Sequence, residues 1–145
     1  MESCPFCRIA ACETEAVRIL EDSATVAFLD LNPVNSGHTL VIPRRHASSL
    51  TDLTGGEIAA VMKTAQRAAG VLRDTLPGCA GITLSLADGV GAGQEVPHVH
   101  VHVIPRFTGD QFGWRRYGMA ADPAVLRSIG LQLREALTAD PSEHP

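Results

Sequence analysis

Apolar and polar residues alternate along five short segments of the chain, and turn residues bound each segment. Such alternation is typical of β-strands, because successive side chains of a strand point to opposite faces of the sheet. The predicted strands cover residues 16–20, 25–31, 39–43, 82–87 and 96–104. Several connections between them are short, which favours antiparallel pairing.

Two longer segments place apolar residues at helical spacing. Thr54 and Glu57 have the spacing of a capping box at the start of the first, and Pro77-Gly78 marks its end. Asp122 as N-cap and Pro123 at the first helical position predict the start of the second. The apolar positions are Ile58, Val61, Met62, Ala65, Ala69 and Leu72 in the first helix, and Leu126, Ile129, Leu133 and Leu137 in the second.

These elements predict an α+β fold, in which two helices cover one face of an antiparallel sheet of about five strands. A chain of 145 residues with 45% hydrophobic residues is long enough for one domain with a buried core. We expect this domain to span residues 1–139 and residues 140–145 to form a disordered tail. The second face of the sheet is then left for a substrate.

Composition and charge exclude several classes of function. The net charge is −4 and the 12 basic residues are dispersed, so the chain lacks the basic patch that binds a nucleic-acid polymer. The apolar runs are far shorter than the roughly 20 residues that span a bilayer, and the N-terminus lacks the pattern of a signal peptide. We therefore expect a cytoplasmic protein that binds neither membranes nor nucleic-acid polymers.

The last predicted strand carries the most informative pattern, the alternating segment His98-Val99-His100-Val101-His102. In a strand the three imidazoles line one face, and the valines line the other. A solvent-exposed strand face would more often carry Thr, Lys or Glu. Two chemical interpretations remain at this point: a metal site with three imidazole ligands, or a catalytic histidine with two helpers.

Further segments around this strand complete a recognisable pattern. They are Cys4-Pro5-Phe6-Cys7, Ala27-Phe28-Leu29-Asp30, the segment 37–46, the Gly-rich segment 91–97 and Pro105-Arg106. With the triad, they resemble the histidine triad (HIT) family of nucleotidyl hydrolases and transferases, in its Hint-like branch and of bacterial type. The resemblance runs from about Cys4 to Trp114. It implies a HIT-like two-layer domain that forms a two-fold homodimer with sheets joined edge to edge.

The resemblance also implies a mechanism centred on His100. One nitrogen of its imidazole attacks phosphorus, while a backbone carbonyl accepts the N–H of the other nitrogen and fixes the tautomer. Water then hydrolyses the nucleotidyl-His100 intermediate. His102 would hydrogen-bond the phosphate or the leaving group, and His38 would support the cluster. The expected substrate is a purine nucleoside 5′-monophosphate joined to its leaving group as a phosphoramidate, a dinucleoside polyphosphate or an ester.

The nucleotide would contact residues from two further segments. The predicted nucleotide-binding residues are Asp30 for the ribose, Phe28 and Leu29 for the base, and Gly93, Gln94 and Glu95 near the phosphate. Phe6, Ile9 and Leu31 could add to the base slot, although core packing explains Phe6 and Ile9 equally well. Family members often carry Asn at the place of Ala87 and Ser or Thr at the place of Glu95, so substrate preference is open.

A separate set of four residues suggests zinc. Cys4 and Cys7 have the Cys-x₂-Cys spacing of a zinc knuckle, and the resemblance adds His46 and His98 as ligands of a closed structural Zn²⁺ site. Cys-Pro-x-Cys also occurs in redox sites, where a buried strand precedes the first cysteine. Only three residues precede Cys4 here. For the cysteines, the alternative is that they bind no metal. For the function, two alternatives remain: a nucleotide-binding regulatory or interaction protein with little turnover, and a zinc hydrolase that uses the triad.

Overall fold

The computed structural model describes residues 4–113 and 121–139. The helices are α1 (Pro5–Ala10), α2 (Gly55–Thr75) and α3 (Pro123–Ala139), and the strands are β1 (Arg18–Glu21), β2 (Thr25–Leu29), β3 (Thr39–Pro43), β4 (Cys79–Ser85) and β5 (Val101–Phe107). The chain forms two compact units, one within residues 1–112 and one within 113–145. The prediction of a single domain over 1–139 stays a prediction.

The first unit is built on one antiparallel sheet with the strand order β1-β2-β3-β5-β4. The predicted α+β fold with five strands is confirmed. The count of two helices is wrong, because the described residues include a third helix, α1. This helix is only six residues long, too short for a periodic pattern, and it begins with Pro5. Phe6, Ile9 and Ala10 bury it against the sheet.

The strand that carries the triad begins at Val101, so the predicted span 96–104 is wrong at both ends. The β3–β5 ladder pairs Val41 with Val101, and the next such pair would place Pro43 opposite Val99. Proline has no N–H to continue a ladder. The N–H of Val99 instead donates to the carbonyl of Ala47, at 2.7 Å. His98 and His100 therefore precede the strand, although Val99 and Val101 are buried as the alternation predicts.

Only the strand at 39–43 has the predicted bounds. The first strand begins and ends later than 16–20, the second ends at Leu29 instead of residue 31, and the fourth covers Cys79–Ser85 instead of 82–87. The shift of the fourth strand follows from its partner, because β4 pairs along β5 as far as Phe107. Hydrogen bonding to neighbouring strands determines where these strands end, so the local alternation of apolar and polar residues does not predict their ends.

Helix α2 covers the valine face of the sheet. Its capping box is present as predicted, because Thr54 and Glu57 each accept from the backbone N–H of the other. The buried positions are Val61, Thr64, Ala65, Ala68 and Leu72. The prediction that Ile58 and Met62 belong to this face is wrong, since they are 38% and 44% exposed. The buried stripe of α2 is therefore rotated by about one residue around the helix axis relative to the predicted stripe.

The second unit contains α3. The side chain of Asp122 accepts from the N–H of Ala124 at 2.8 Å, as expected at the start of this helix. Leu126, Ile129 and Leu133 are largely exposed. The predicted tail, Trp114 and the side chain of Leu137 lie outside the described residues. No helix in the described part has both the length and the apolar composition needed to cross a bilayer.

Candidate active site and metal-ligand cluster

A cavity of about 560 Å³ opens on the sheet face opposite α2. This volume is within the usual range for small-molecule sites. Its walls are apolar, its floor is made of histidines, and three carboxylates line it. The residues are Phe6, Ile9, Phe28, Leu29, Leu31, Leu40 and Val96 for the walls, His38, His100 and His102 for the floor, and Glu15, Asp30 and Glu95 for the acids. Helix α1 contributes the Phe6 ring, which meets the His100 ring edge to face at 5.1 Å.

Most of the residues predicted to bind a nucleotide lie at this cavity. Phe28, Leu29, Asp30, Gly93 and Glu95 line it. Gln94 does not line it, and both ends of its side-chain amide are hydrogen-bonded to backbone groups. Its oxygen accepts from the N–H of Gly89 at 2.7 Å, and its nitrogen donates to the carbonyl of Ser48 at 3.0 Å. In this arrangement Gln94 ties Gly89 to the backbone of Ser48, and one N–H of its amide is used for this contact.

The position of His100 leaves one of its nitrogens available for attack. The ring is 6% exposed, and its Nδ1 lies 2.7 Å from the carbonyl oxygen of His98. A carbonyl only accepts, so Nδ1 carries the proton and Nε2 carries the lone pair. This is the tautomer that nucleophilic attack at phosphorus requires.

A second chain of hydrogen bonds fixes the protons of His38 and His102. The N–H of Val34 donates to Nδ1 of His38 at 3.0 Å. The neutral His38 ring therefore carries its proton on Nε2, which donates to Nδ1 of His102 at 2.9 Å. The remaining proton of His102 is then on Nε2. His102 thus presents a donor in the cavity beside the free lone pair of His100.

Burial keeps these histidines neutral. It lowers the pKa of His102 to about 4, and the neighbouring rings of His100 and His38 lower it further, against the opposing charge of Asp30. Burial also lowers the pKa of His38, again against Asp30, whose carboxylate lies 3.6 Å from Nε2 of His38. At neutral pH His102 is therefore a hydrogen-bond donor without a positive charge.

These lowered pKa values predict a loss of stability in mild acid. Above about pH 6.5 His102 is neutral in both the folded and the unfolded chain. Between about pH 6.5 and 4 the unfolded chain binds the proton and the folded chain does not, so unfolding is favoured by up to about 1.4 kcal/mol per pH unit for this group. Urea denaturation at pH 7.5, 6 and 5 measures the slope. His102→Asn, which keeps an acceptor for His38, should flatten it; an unchanged slope in this variant would contradict the assignment.

The four predicted metal ligands also come together. The ligand atoms of Cys4, Cys7, His46 and His98 all lie within 4.8 Å of one another. Nδ1 of His98 is 3.5 Å from the Cys4 sulfur, and Nδ1 of His46 is 3.3 Å from the Cys7 sulfur. Ordinary Zn–S and Zn–N bond lengths at tetrahedral angles give N to S separations of about 3.6 Å. The cluster therefore has the size of a tetrahedral Zn²⁺ site.

The protonation of the cluster also fits a metal. His98 is fully buried, and its Nε2 donates to the carbonyl of Pro43 at 2.9 Å, so Nδ1 presents a lone pair to the cysteines. Burial and the adjacent Cys4 raise the pKa of the Cys7 thiol. A bound cation is what would favour the thiolates here.

Comparison with known proteins identifies the family. The family model described as a HIT domain matches residues 11–109. The chain belongs to the HIT family. Protein hit of Bacillus subtilis is 33% identical over 141 residues, which cover 95% of this chain and 97% of that protein. The bifunctional bis(5'-adenosyl)-triphosphatase/adenylylsulfatase FHIT of Arabidopsis thaliana is 43% identical over 84 residues, 58% of this chain and 46% of that protein.

Solved structures of HIT proteins share the fold. A Zn-bound histidine triad family protein from Mycobacterium smegmatis has a TM-score of 0.74 at 37% identity and covers 93% of this chain and 98% of its own. A histidine triad nucleotide-binding protein from Candida albicans has a TM-score of 0.86 at 28% identity and covers 94% and 99%. The predicted family is confirmed, and the Hint-like branch stays a prediction.

A second possible metal cluster in this HIT domain consists of Asp30, His38 and His102. Its protonation does not suit a cation. His38 would have to ligate through Nε2, yet the bond from Val34 to Nδ1 puts a proton on Nε2. The three triad histidines likewise do not direct their ring nitrogens to one common point. Nδ1 of His98 is directed to the cysteines, and Nδ1 of His100 is directed to a carbonyl. These bonds argue against the zinc hydrolase alternative.

Sequence reasoning missed one part of the cavity wall, Thr14 to Ala16. These residues precede β1 and carry no motif. Their neighbourhood follows from pairing, because the N–H of Leu29 donates to the carbonyl of Val17 at 2.9 Å and brings this segment beside the end of β2. The predicted pairing of the first two strands was the available signal. Ala87, in contrast, is absent from the cavity lining.

Proposed function

We propose that this HIT protein is a nucleotidyl hydrolase or transferase that cleaves a nucleoside 5′-monophosphate from its leaving group. The observation that carries the proposal is the hydrogen bond from Nδ1 of His100 to the carbonyl of His98, which leaves the Nε2 lone pair for a ligand in the cavity. The leaving group is an amine in a phosphoramidate, a nucleotide in a dinucleoside polyphosphate, or an alcohol in an ester. The nucleoside is a purine, with Asp30 at the ribose.

The reaction has two displacement steps. In the first, Nε2 of His100 forms a bond to phosphorus while the bond to the leaving group breaks. An amine leaves as the neutral amine when its nitrogen is protonated in the substrate, an alcohol leaves as its oxygen takes a proton from solvent, and a nucleotide leaves as the phosphate anion. His102 donates its Nε2 proton in a hydrogen bond to the phosphoryl oxygens. In the second, water bonds to phosphorus, the bond to His100 breaks, and the water proton passes to solvent.

The alternative function is a nucleotide-binding regulatory protein with little turnover, and the structural similarity to the histidine triad nucleotide-binding protein of Candida albicans supports it. A substrate panel separates the two. Adenosine and guanosine 5′-phosphoramidates, alkyl esters and dinucleoside polyphosphates are incubated with the protein, and the release of nucleoside monophosphate is followed by chromatography. Release with any class supports the enzyme. Binding of the monophosphates without any release supports the alternative.

Glu95 should set the ranking of the leaving groups. Glu15, Asp30 and Glu95 line the cavity, and no Lys or Arg does among the described residues. Glu95 lies between the Gly-rich segment and His98 in the chain and lines the cavity with His100 and His102, so we place the leaving group beside it. A like charge at about 4 Å repels enough to change rates about tenfold near a protein surface.

We expect phosphoramidates and small esters to exceed dinucleoside polyphosphates in kcat/KM, and Glu95→Ser to narrow this difference. Asp88→Ser is the matched control, and an unchanged ranking in Glu95→Ser at low salt would refute the idea.

We also propose that Cys4, Cys7, His46 and His98 hold one structural Zn²⁺. When bound, the ion would join helix α1, the loop after β3 and the segment before β5. Helix α1 carries Phe6 into the cavity wall, so the metal would shape the nucleotide site without touching phosphorus. No metal chemistry is assigned to the reaction itself.

The protein is further proposed to act as a cytoplasmic homodimer. Support for the dimer comes from β4, which is an edge strand of the described sheet and exposes Leu84. Unpaired edge groups of this kind accept a second strand. Light scattering gives the mass in solution and tests the dimer.

A further inference from the structure

We propose that Glu15 makes this nucleotide site selective for guanine. This inference rests on the proposed function, because it takes the phosphate to lie at His100 and His102. Glu15 lines the cavity together with Thr14, and no motif or comparison assigns either residue a role.

The sheet register places Glu15 at the end of the cavity remote from the triad. His102 pairs with Leu40, Leu40 with Phe28, and Phe28 with Arg18, so these residues run across four adjacent strands. Three strand spacings amount to roughly 14 Å. The segment that contains Glu15 comes just before Arg18, and the Val17 to Leu29 hydrogen bond holds it beside β2.

A purine nucleotide fits this span with its base toward Glu15. With phosphorus at His100 and the ribose at Asp30, the base lies over the apolar surface of Phe6 and Phe28. The edge of the base farthest from the sugar carries its Watson–Crick groups. That edge is then the part of the ligand that meets Thr14 and Glu15.

The Glu15 carboxylate is free to accept hydrogen bonds. Most carboxylates of the first unit already have partners: Glu21 pairs with Arg44, Glu57 with Arg45, and Asp110 with Arg106. Within the described residues Glu15 has no hydrogen bond or ion pair, and the nearby Arg18 is bonded to Glu21 and to the carbonyl of Ile9. An unpaired acid at a cavity end favours a ligand with donors.

Guanine matches this acid and adenine does not. The N1–H and N2 amine of guanine are adjacent donors that meet the two oxygens of a carboxylate in a bidentate pair. Adenine has one donor, the N6 amine, and its N1 lone pair faces the negative charge. Bidentate contacts to a base discriminate by roughly 10- to 100-fold, and the solvent exposure of Glu15 places the expected value at about tenfold.

Titration calorimetry with GMP, IMP and AMP on the intact protein tests the inference. We expect the affinity to fall in the order GMP, IMP, AMP, since IMP keeps N1–H and lacks the N2 amine. Glu15→Gln replaces one acceptor with a donor that suits N1 of adenine. This variant should bind GMP about tenfold more weakly and AMP more tightly than wild type, which reverses the preference for guanine. The kcat/KM values for guanosine and adenosine 5′-phosphoramidate should follow the same order.

Glu13→Gln is the matched control, because Glu13 is also exposed but does not line the cavity. It should leave both affinities unchanged. Equal binding of GMP and AMP by the wild type, or an unchanged ratio in Glu15→Gln, overturns guanine selectivity, and turnover in that case leaves the proposed function standing. If the protein neither binds nor cleaves either nucleotide, both the proposed function and the guanine inference fall.

Discussion

His100→Ala should reduce turnover by at least about 10⁴-fold, with the fold and nucleotide binding nearly intact. The variant removes the atom that forms the bond to phosphorus, and no neighbour replaces it. Nδ1 of His98 is directed to the cysteines, and Nε2 of His102 carries a proton. Val101 and Val103, on the other face of this segment, keep their packing against α2, so the main core stays intact and the cavity left by the imidazole lies beside Phe6. Steady-state kinetics, calorimetry with GMP and AMP, and thermal unfolding measure the three properties.

The covalent step has its own test. Brief incubation of wild type with a phosphoramidate and denaturation at alkaline pH should leave a nucleotidyl-histidine adduct, which mass spectrometry places at His100 and which acid treatment should remove. His100→Gly should lack the adduct, but it should still hydrolyse a nucleoside 5′-phosphorimidazolide, because this compound supplies the missing imidazole already bonded to phosphorus. A His100→Ala variant as active as wild type would refute the mechanism, and so would an adduct on another residue.

The residues that gather at the site were more predictable from sequence than their hydrogen bonds. The triad, the cysteine pair and Asp30 have side chains that a structural role rarely requires, and the family resemblance added His46 and His98 as metal ligands. Their hydrogen bonds were not predictable. The tautomer of His38 depends on the N–H of Val34, a backbone group that any residue except proline would provide at that position.

Elements formed by distant contacts were the least predictable. Helix α1 has six residues and gains its stability by burying Phe6 and Ile9 against the sheet, so its sequence alone carries a weak helical signal. The start of β5 depends on Pro43, which is more than fifty residues earlier in the chain. The position of Glu15 at the cavity was equally unpredictable, since it depends on the register across four strands.

Loss of the metal should have the second large effect. Cys7→Ser should release Zn²⁺ and lower the thermal midpoint by roughly 10 °C, which corresponds to about 3 kcal/mol for a chain of this size. Cys7 contacts both histidines of the cluster, with its sulfur 3.3 Å from His46 and 3.6 Å from His98. Serine is a poor zinc ligand, so three ligands would remain and α1 would lose its tie to the sheet. Elemental analysis and thermal unfolding measure both changes.

The same variant should separate binding from chemistry. Phe6 lies on α1 and forms part of the nucleotide cavity, whereas His100 is held by the carbonyl of His98. Release of α1 should therefore raise KM more than it lowers kcat. Cys12→Ser is the matched control, since Cys12 is exposed and lies outside the cluster, and it should keep its zinc and its thermal midpoint. His100→Ala should also retain one zinc per chain. A zinc content that survives in Cys7→Ser but disappears in His100→Ala would place the metal on the triad and overturn the structural role.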